Sequence, residues 1–208
     1  MTKTRIKVCG ICSVADANKA CNAGVDAIGM LFYAKSPRIV TPDSAMEIVS
    51  SLPPFISTVG LFVNSSEQEV NQVLSRVQLD LLQFHGEEDE AFCSRFDRPY
   101  IKVVRVKRET DLASLCQQYA SARGILLDSY KKGTSGGTGE VFDWGLIPDN
   151  LPLPVILAGG LNPKNVAIAI SRVQPWAVDV SSGVEESPGK KDAYKIEQFV
   201  RAVKCAEK

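Results

Sequence analysis

The sequence contains a single histidine, His85, in 208 residues, and no second cysteine pair stands at ligand spacing beside Cys9 and Cys12. That scarcity counts against the familiar zinc sites, which draw four ligands from cysteine and histidine. Excess charge is lacking as well: 24 basic residues balance 24 acidic ones, and neither sign forms a block. A nucleic-acid footprint or a membrane-surface helix needs a run of one sign, so neither partner is expected. Long apolar runs are missing too, since none approaches the roughly 18 residues of a membrane span. The opening MTKTRIKVCG is charged and then strand-like, without the apolar core of a signal peptide, so a cytoplasmic location is expected. Six cysteines are scattered rather than dense, and free thiols, mostly core filler, are expected.

What is present is a regular alternation. Eight short apolar, β-branched runs occur: Ile6–Cys9, Ala27–Phe32, Thr58–Val63, Leu79–Phe84, Tyr100–Val106, Gly124–Leu127, Pro154–Ala158 and Ala177–Val180. They are nearly continuous in hydrophobicity, as strands covered on both faces are. Between them stand helix candidates with start signals, at Ser13, at Thr41-Pro42 and at Ser65-Ser66, with Gly24 as a C-cap. Further helices are predicted over Glu88–Phe96, Thr110–Ala122, Phe142–Ile147, Asn162–Ser171 and Asp192–Ala206. Eight βα units in about 200 residues are the count and length of a minimal (β/α)8 TIM barrel, so the fold class is α/β. No linker divides the chain, and residues 1–208 read as one domain. The one Gly-rich stretch, Gly133–Gly139, follows a strand and is a candidate functional loop.

In such barrels the chemistry gathers where strands end. Here the ends carry Cys9-Gly10, Lys35-Ser36-Pro37-Arg38, Asn64, His85-Gly86, Arg105 with Lys107, Asp128-Ser129, Gly159-Gly160 and Ser181-Ser182-Gly183. Glycines and hydroxyls after strands seven and eight can converge backbone N–H groups on a phosphate, although either loop alone is equally a tight turn. Asp128 ends the run GILLD, where desolvation raises a carboxyl towards proton donation; the alternative is a solvated cap. Cys9 faces the same rim and can act as a base if nearby cations and dipoles lower its thiol; a cysteine there is otherwise a small hydrophobe. Arg38 can grip a carboxylate with two N–H groups, and His85 either contacts a ligand or hydrogen-bonds into the rim.

Cys9 and Cys12 form C-G-I-C, which reads as a thioredoxin-like redox pair in a cytosolic α/β protein. The length and the paired phosphate loops argue against that reading. A triose-phosphate type of isomerase calls for a glutamate base with a histidine electrophile, and the only histidine follows strand four. A non-catalytic binder of phosphorylated ligands would keep the loops and tolerate loss of Cys9 and Asp128.

The blocks KVCGI, DAIGMLFYAKSPR, VGLFVN, LLQFHGEE, LLDS, GTSGGTGEVFDW, ILAGGLNP and VDVSSGVEESPGKKD together resemble the phosphoribosylanthranilate isomerase family, over residues 7 to about 200. The resemblance implies an aldose–ketose isomerase of tryptophan biosynthesis, a cofactor-free Amadori rearrangement and a phosphorylated small-molecule substrate. It implies Cys9 as general base, Asp128 as general acid and Arg38 on the anthranilate carboxylate. The backbones of Gly159-Gly160 and Ser181-Ser182-Gly183 would hold phosphate, with His85 in the substrate site and no metal. A monomer is expected, with a dimer as the alternative. The sequence departs from the family pattern at Cys12, commonly threonine, and at Phe84, commonly leucine; neither removes a proposed catalytic group.

Overall fold

A computed structural model describes residues 3–129 and 143–206. Eight parallel strands close into a barrel in sequence order: β1 (Arg5–Cys9), β2 (Ala27–Leu31), β3 (Ser57–Phe62), β4 (Leu81–Phe84), β5 (Tyr100–Val106), β6 (Ile125–Ser129), β7 (Val155–Leu157) and β8 (Ala177–Val180). Closure is made by β1 and β8, with Lys7 opposite Asp179 and Val8 opposite Val180. All eight predicted runs are strands of this barrel, with β5 and β8 ending where expected and no other end displaced by more than two residues.

The helices are α1 (Val14–Ala23), α2 (Pro42–Ser50), α3 (Glu67–Leu74), α4 (Glu90–Cys93), α5 (Leu112–Gln118), α6 (Val166–Val173) and α7 (Ala193–Ala206). Their starts follow the local chemistry. The Ser13 side chain accepts from Asp16 N–H, and Thr41 accepts from Ser44 N–H with Pro42 in the first turn. Ser66 and Glu69 form a reciprocal capping box. Gly24 closes α1 in the left-handed region at φ 86°, which a side chain would resist.

One predicted helix is corrected. Within Phe142–Ile147 the described residues hold only a 3-10 turn, Trp144–Leu146, whose start Asp143 caps through Gly145 N–H. Pro148 pushes the residue before it out of the helical region, and Ile147 is extended at φ −90°, ψ 118°. Three others are shorter than predicted: α4 is a single turn, α5 starts at Leu112 and α6 at Val166. A hairpin that the sequence reading missed, β9 (Glu185–Ser187) with β10 (Lys190–Lys191), follows β8. The Gly133–Gly139 stretch lies outside the described residues.

Two cores follow from strands buried on both faces. Ile6, Val8, Ile28, Met30, Phe62 and Phe84 point outwards and pack beneath the helices with Ala17, Ile48, Val70, Phe199 and Val203. Their sequence neighbours point inwards, where Val59, Ile101, Val103, Leu126, Ile156 and Ala177 fill the barrel. Towards the C-terminal ends of the strands this interior turns polar, through Lys7, Cys9, Gln83, Asp128 and Asp179, all buried. No helix among the described residues is long and apolar enough to cross a membrane.

Candidate active site

A cavity of about 440 Å³ opens at the C-terminal ends of the strands and is lined by Cys9, Arg38, His85, Asp128, Gly159, Ser181 and Ser182, together with Lys35, Gln83, Arg105 and Asp179. Seven of the nine residues singled out in the sequence thus face one space. Gly160 and Gly183 do not line it, although they belong to the loops that do.

Close backbone approach builds this rim. Gly10 N–H and Ile11 N–H both donate to Gly29 O at 2.9 Å, turning the chain sharply after Cys9. Gly159, at φ 76°, runs so near β6 that a Cβ there would stand 2.4 Å from Ser129 N and 2.8 Å from Asp128 Oδ1. Glycine is therefore required for Asp128 to sit where it does. Asp128 Oδ1 also accepts from Ser129 N–H at 2.8 Å, and its Oδ2 lies 3.3 Å from His85 Nε2, off the line of a hydrogen bond. The His85 loop is braced from behind: buried Glu88 accepts from Asn64 N–H, Gly86 N–H and Lys102 Nζ at 2.7 to 2.9 Å. Asn64, in the left-handed region at φ 51°, accepts from Glu87 N–H.

The loops after β7 and β8 meet. A Cβ on Gly183 would fall 2.0 Å from Leu161 O, so only glycine lets them touch. Asn162 and Asn165 donate side-chain N–H groups to Gly160 O, which fixes the β7 loop.

Arg38 already grips a carboxylate. Its Nε and Nη2 donate to the two oxygens of Glu185, each at 2.7 Å, and Lys191, fully buried, donates to Glu185 Oε1 at 2.8 Å and to Ser181 O at 3.2 Å. Burial works against the Glu185 carboxylate, yet Arg38 and Lys191 hold its pKa below the usual value. For Lys191 burial prevails over Glu185 and lowers the ammonium.

Cys9 departs from expectation. Backbone dipoles and neighbouring cations were expected to lower its thiol, but burial pushes the pKa up, with Lys7 and Lys191 only partly offsetting it. The cations are present; desolvation of the thiolate is the larger effect. All six cysteines are free, and Cys12 directs its thiol towards Gly10 O and Arg38 O at 3.5 Å each. Cys93 is core filler, its thiol raised to about 12 by burial.

Sequence reasoning missed Lys7, Gln83, Asp179, Glu185 and Lys191. A signal existed for two of them: a charge inside an otherwise apolar strand, in IKVC and AVDV, marks a buried polar layer.

The model of the family described as N-(5'phosphoribosyl)anthranilate (PRA) isomerase matches residues 6–202. An N-(5'-phosphoribosyl)anthranilate isomerase of Pseudomonas putida (strain F1) is 57% identical over 206 residues, covering 99% of this chain and 100% of that protein. The crystal structure of phosphoribosyl anthranilate isomerase from Thermotoga maritima superposes with a TM-score of 0.89 at 42% identity, covering 97% of this chain and 99% of that one. A phosphoribosyl anthranilate isomerase solved in complex with reduced 1-(o-carboxyphenylamino)-1-deoxyribulose 5-phosphate gives 0.83 at 39% identity, with the same coverage.

Proposed function

Because the chain belongs to the N-(5'-phosphoribosyl)anthranilate isomerase family, we propose that it converts N-(5-phosphoribosyl)anthranilate into 1-(2-carboxyphenylamino)-1-deoxyribulose 5-phosphate in the cytoplasm, a step of tryptophan biosynthesis, without a cofactor. The observation that carries this reading is one cavity in which a thiol, a carboxyl, an arginine and two glycine- and serine-bearing loops converge.

Asp128 gives a proton to the furanose ring oxygen, and the ring opens to a Schiff base. Cys9 then takes the proton from C2, and the resulting enolamine tautomerises to the ketone. Gly159 supports this role for Asp128 by allowing the carboxyl to lie against the β7 loop, inside the cavity. The N–H groups around Gly159-Gly160 and Ser181–Gly183 receive the phosphate, where glycine permits close approach. Arg38 spends two of its five N–H groups on Glu185 and keeps the others for the anthranilate carboxylate. His85 stands beside Asp128, within reach of the same ligand.

Anthranilate fluorescence follows consumption of the phosphoribosyl amine directly. Purified protein should turn the substrate over, inorganic phosphate should compete with it, and Asp128→Asn should lose turnover while still binding the reduced product analogue. An active Asp128→Asn variant would remove Asp128 as the acid.

A further inference from the structure

The lysine beneath Cys9 is unused by the chemistry so far. Lys7 lies two residues before Cys9 on β1, so both side chains point into the barrel. Across the closing seam Lys7 is in register with Asp179 of β8, and Lys7 Nζ lies 2.9 Å from Asp179 Oδ1, with both side chains buried. This ion pair occupies only part of the ammonium, which has three protons to direct.

The free space for them is beside Gly29, the β2 partner of Cys9. A Cβ there would stand 2.8 Å from Cys9 Sγ and 3.2 Å from Lys7 Nζ. Thiol and ammonium therefore share the gap left by one missing side chain. We propose that Lys7, held across the β1–β8 seam by Asp179, is the positioning residue that supports a thiolate at Cys9.

The charges facing Cys9 favour Lys7 for this role. Lys191 of β10 also bears on the thiol, but its ammonium is shared with Glu185 and the Ser181 carbonyl. Arg38, after β2, turns two N–H groups to Glu185. Asp179 opposes the thiolate, and Gly29 of β2 brings no charge. Among the influences that ease ionisation of Cys9, Lys7 is the strongest, and in return Asp179 and Cys9 hold the Lys7 ammonium above its ordinary pKa despite burial. An ammonium in the same small gap as a desolvated thiolate offsets part of the cost of burying that anion.

The inference rests on Cys9 as the base, and its test separates the two ideas. Iodoacetamide alkylation of Cys9, followed by peptide mass against pH in the full chain, reads the thiol itself. Lys7→Met should move its titration to higher pH. The charge-neutral pair Lys7→Met with Asp179→Asn, which leaves no buried ion alone, should do so too. Asp179→Asn by itself should move it the other way, because an anion leaves while the cation stays. In both Lys7→Met proteins kcat/KM near neutrality should fall about three- to tenfold for each pH unit gained by the thiol, since a stronger base regains part of what the thinner thiolate population loses. An unmoved titration in the double variant overturns the proposal, and so does an upward shift in Asp179→Asn, which would make the pair a structural brace. A thiol that moves while kcat/KM does not would leave Lys7 in its role and remove Cys9 as the base.

Discussion

Replacing Glu185 by glutamine tests the ionic network at the mouth of the barrel. The carboxylate takes two hydrogen bonds from Arg38 and one from Lys191, all at 2.7 to 2.8 Å, and Lys191 is fully buried. A neutral amide can accept from one cation but must turn its NH2 group towards the other. Breaking a buried pair from one side costs about 3 to 5 kcal/mol, and the lower end applies because the Ser181 carbonyl still receives the ammonium. For a chain of this size, about 3 kcal/mol corresponds to a fall of roughly 6 to 12 °C in Tm. Adding Lys191→Met should recover part of it, because the fully buried ammonium is gone and the amide oxygen is left free to accept from Arg38, which keeps some contact with solvent. The sign against pH also follows. Glu185 has a folded pKa below its unfolded one, so its contribution is present above the unfolded value and disappears as pH falls through the folded one. Wild type and variant should therefore converge in acid. Thermal and urea unfolding across pH decide the matter; a Glu185→Gln protein within about 0.5 kcal/mol of wild type, the range of ordinary surface changes, would refute the reasoning.

Two other outcomes concern single atoms. Cys9→Ser should abolish turnover and Cys12→Ser should leave it within a few-fold, because a serine hydroxyl can still donate to Gly10 O or Arg38 O; comparable losses would revive the dithiol reading. Gly159→Ala should cost about 1 to 3 kcal/mol for a left-handed non-glycine residue and more for the collision with Ser129, and kcat should fall with it as Asp128 is displaced. Wild-type kcat in a folded Gly159→Ala protein would show that the placement of Asp128 is not demanding.

The barrel was legible because a strand covered on both faces is apolar at nearly every position, and because helix starts are written in one to four residues. Ser13, Thr41 and Ser66 all cap as their sequence context implies. The lengths of α4 and α5 were not legible, because apolar periodicity continues past the point where tertiary packing stops the helix. The rim residues could be read from their places at strand ends. Their partners could not: Arg38 finds Glu185, 147 positions away, through a hairpin that no local pattern announced. Lys7 and Asp179 become partners only through closure of the barrel, which brings the first and last strands into register.

Burial of Cys9 has a kinetic consequence. The free site holds this residue as a thiol, since desolvation outweighs Lys7 and Lys191, whereas the proposed reaction uses a thiolate beside a protonated Asp128. In the proposed reaction the two residues share one proton, so passing it from Cys9 to Asp128 leaves the net charge of the cavity unchanged. The rate then depends on the singly protonated form of the site. Raising the pH through the thiol's own titration strips that last proton, leaves no acid for the ring oxygen, and removes activity. Because burial raises that titration, the alkaline fall of kcat/KM should lie above the ordinary thiol value of about 8.5. It should also coincide with the pH at which Cys9 becomes reactive to iodoacetamide. A fall well below that point would assign the alkaline limb to another group, and the division of labour between Cys9 and Asp128 would have to be redrawn.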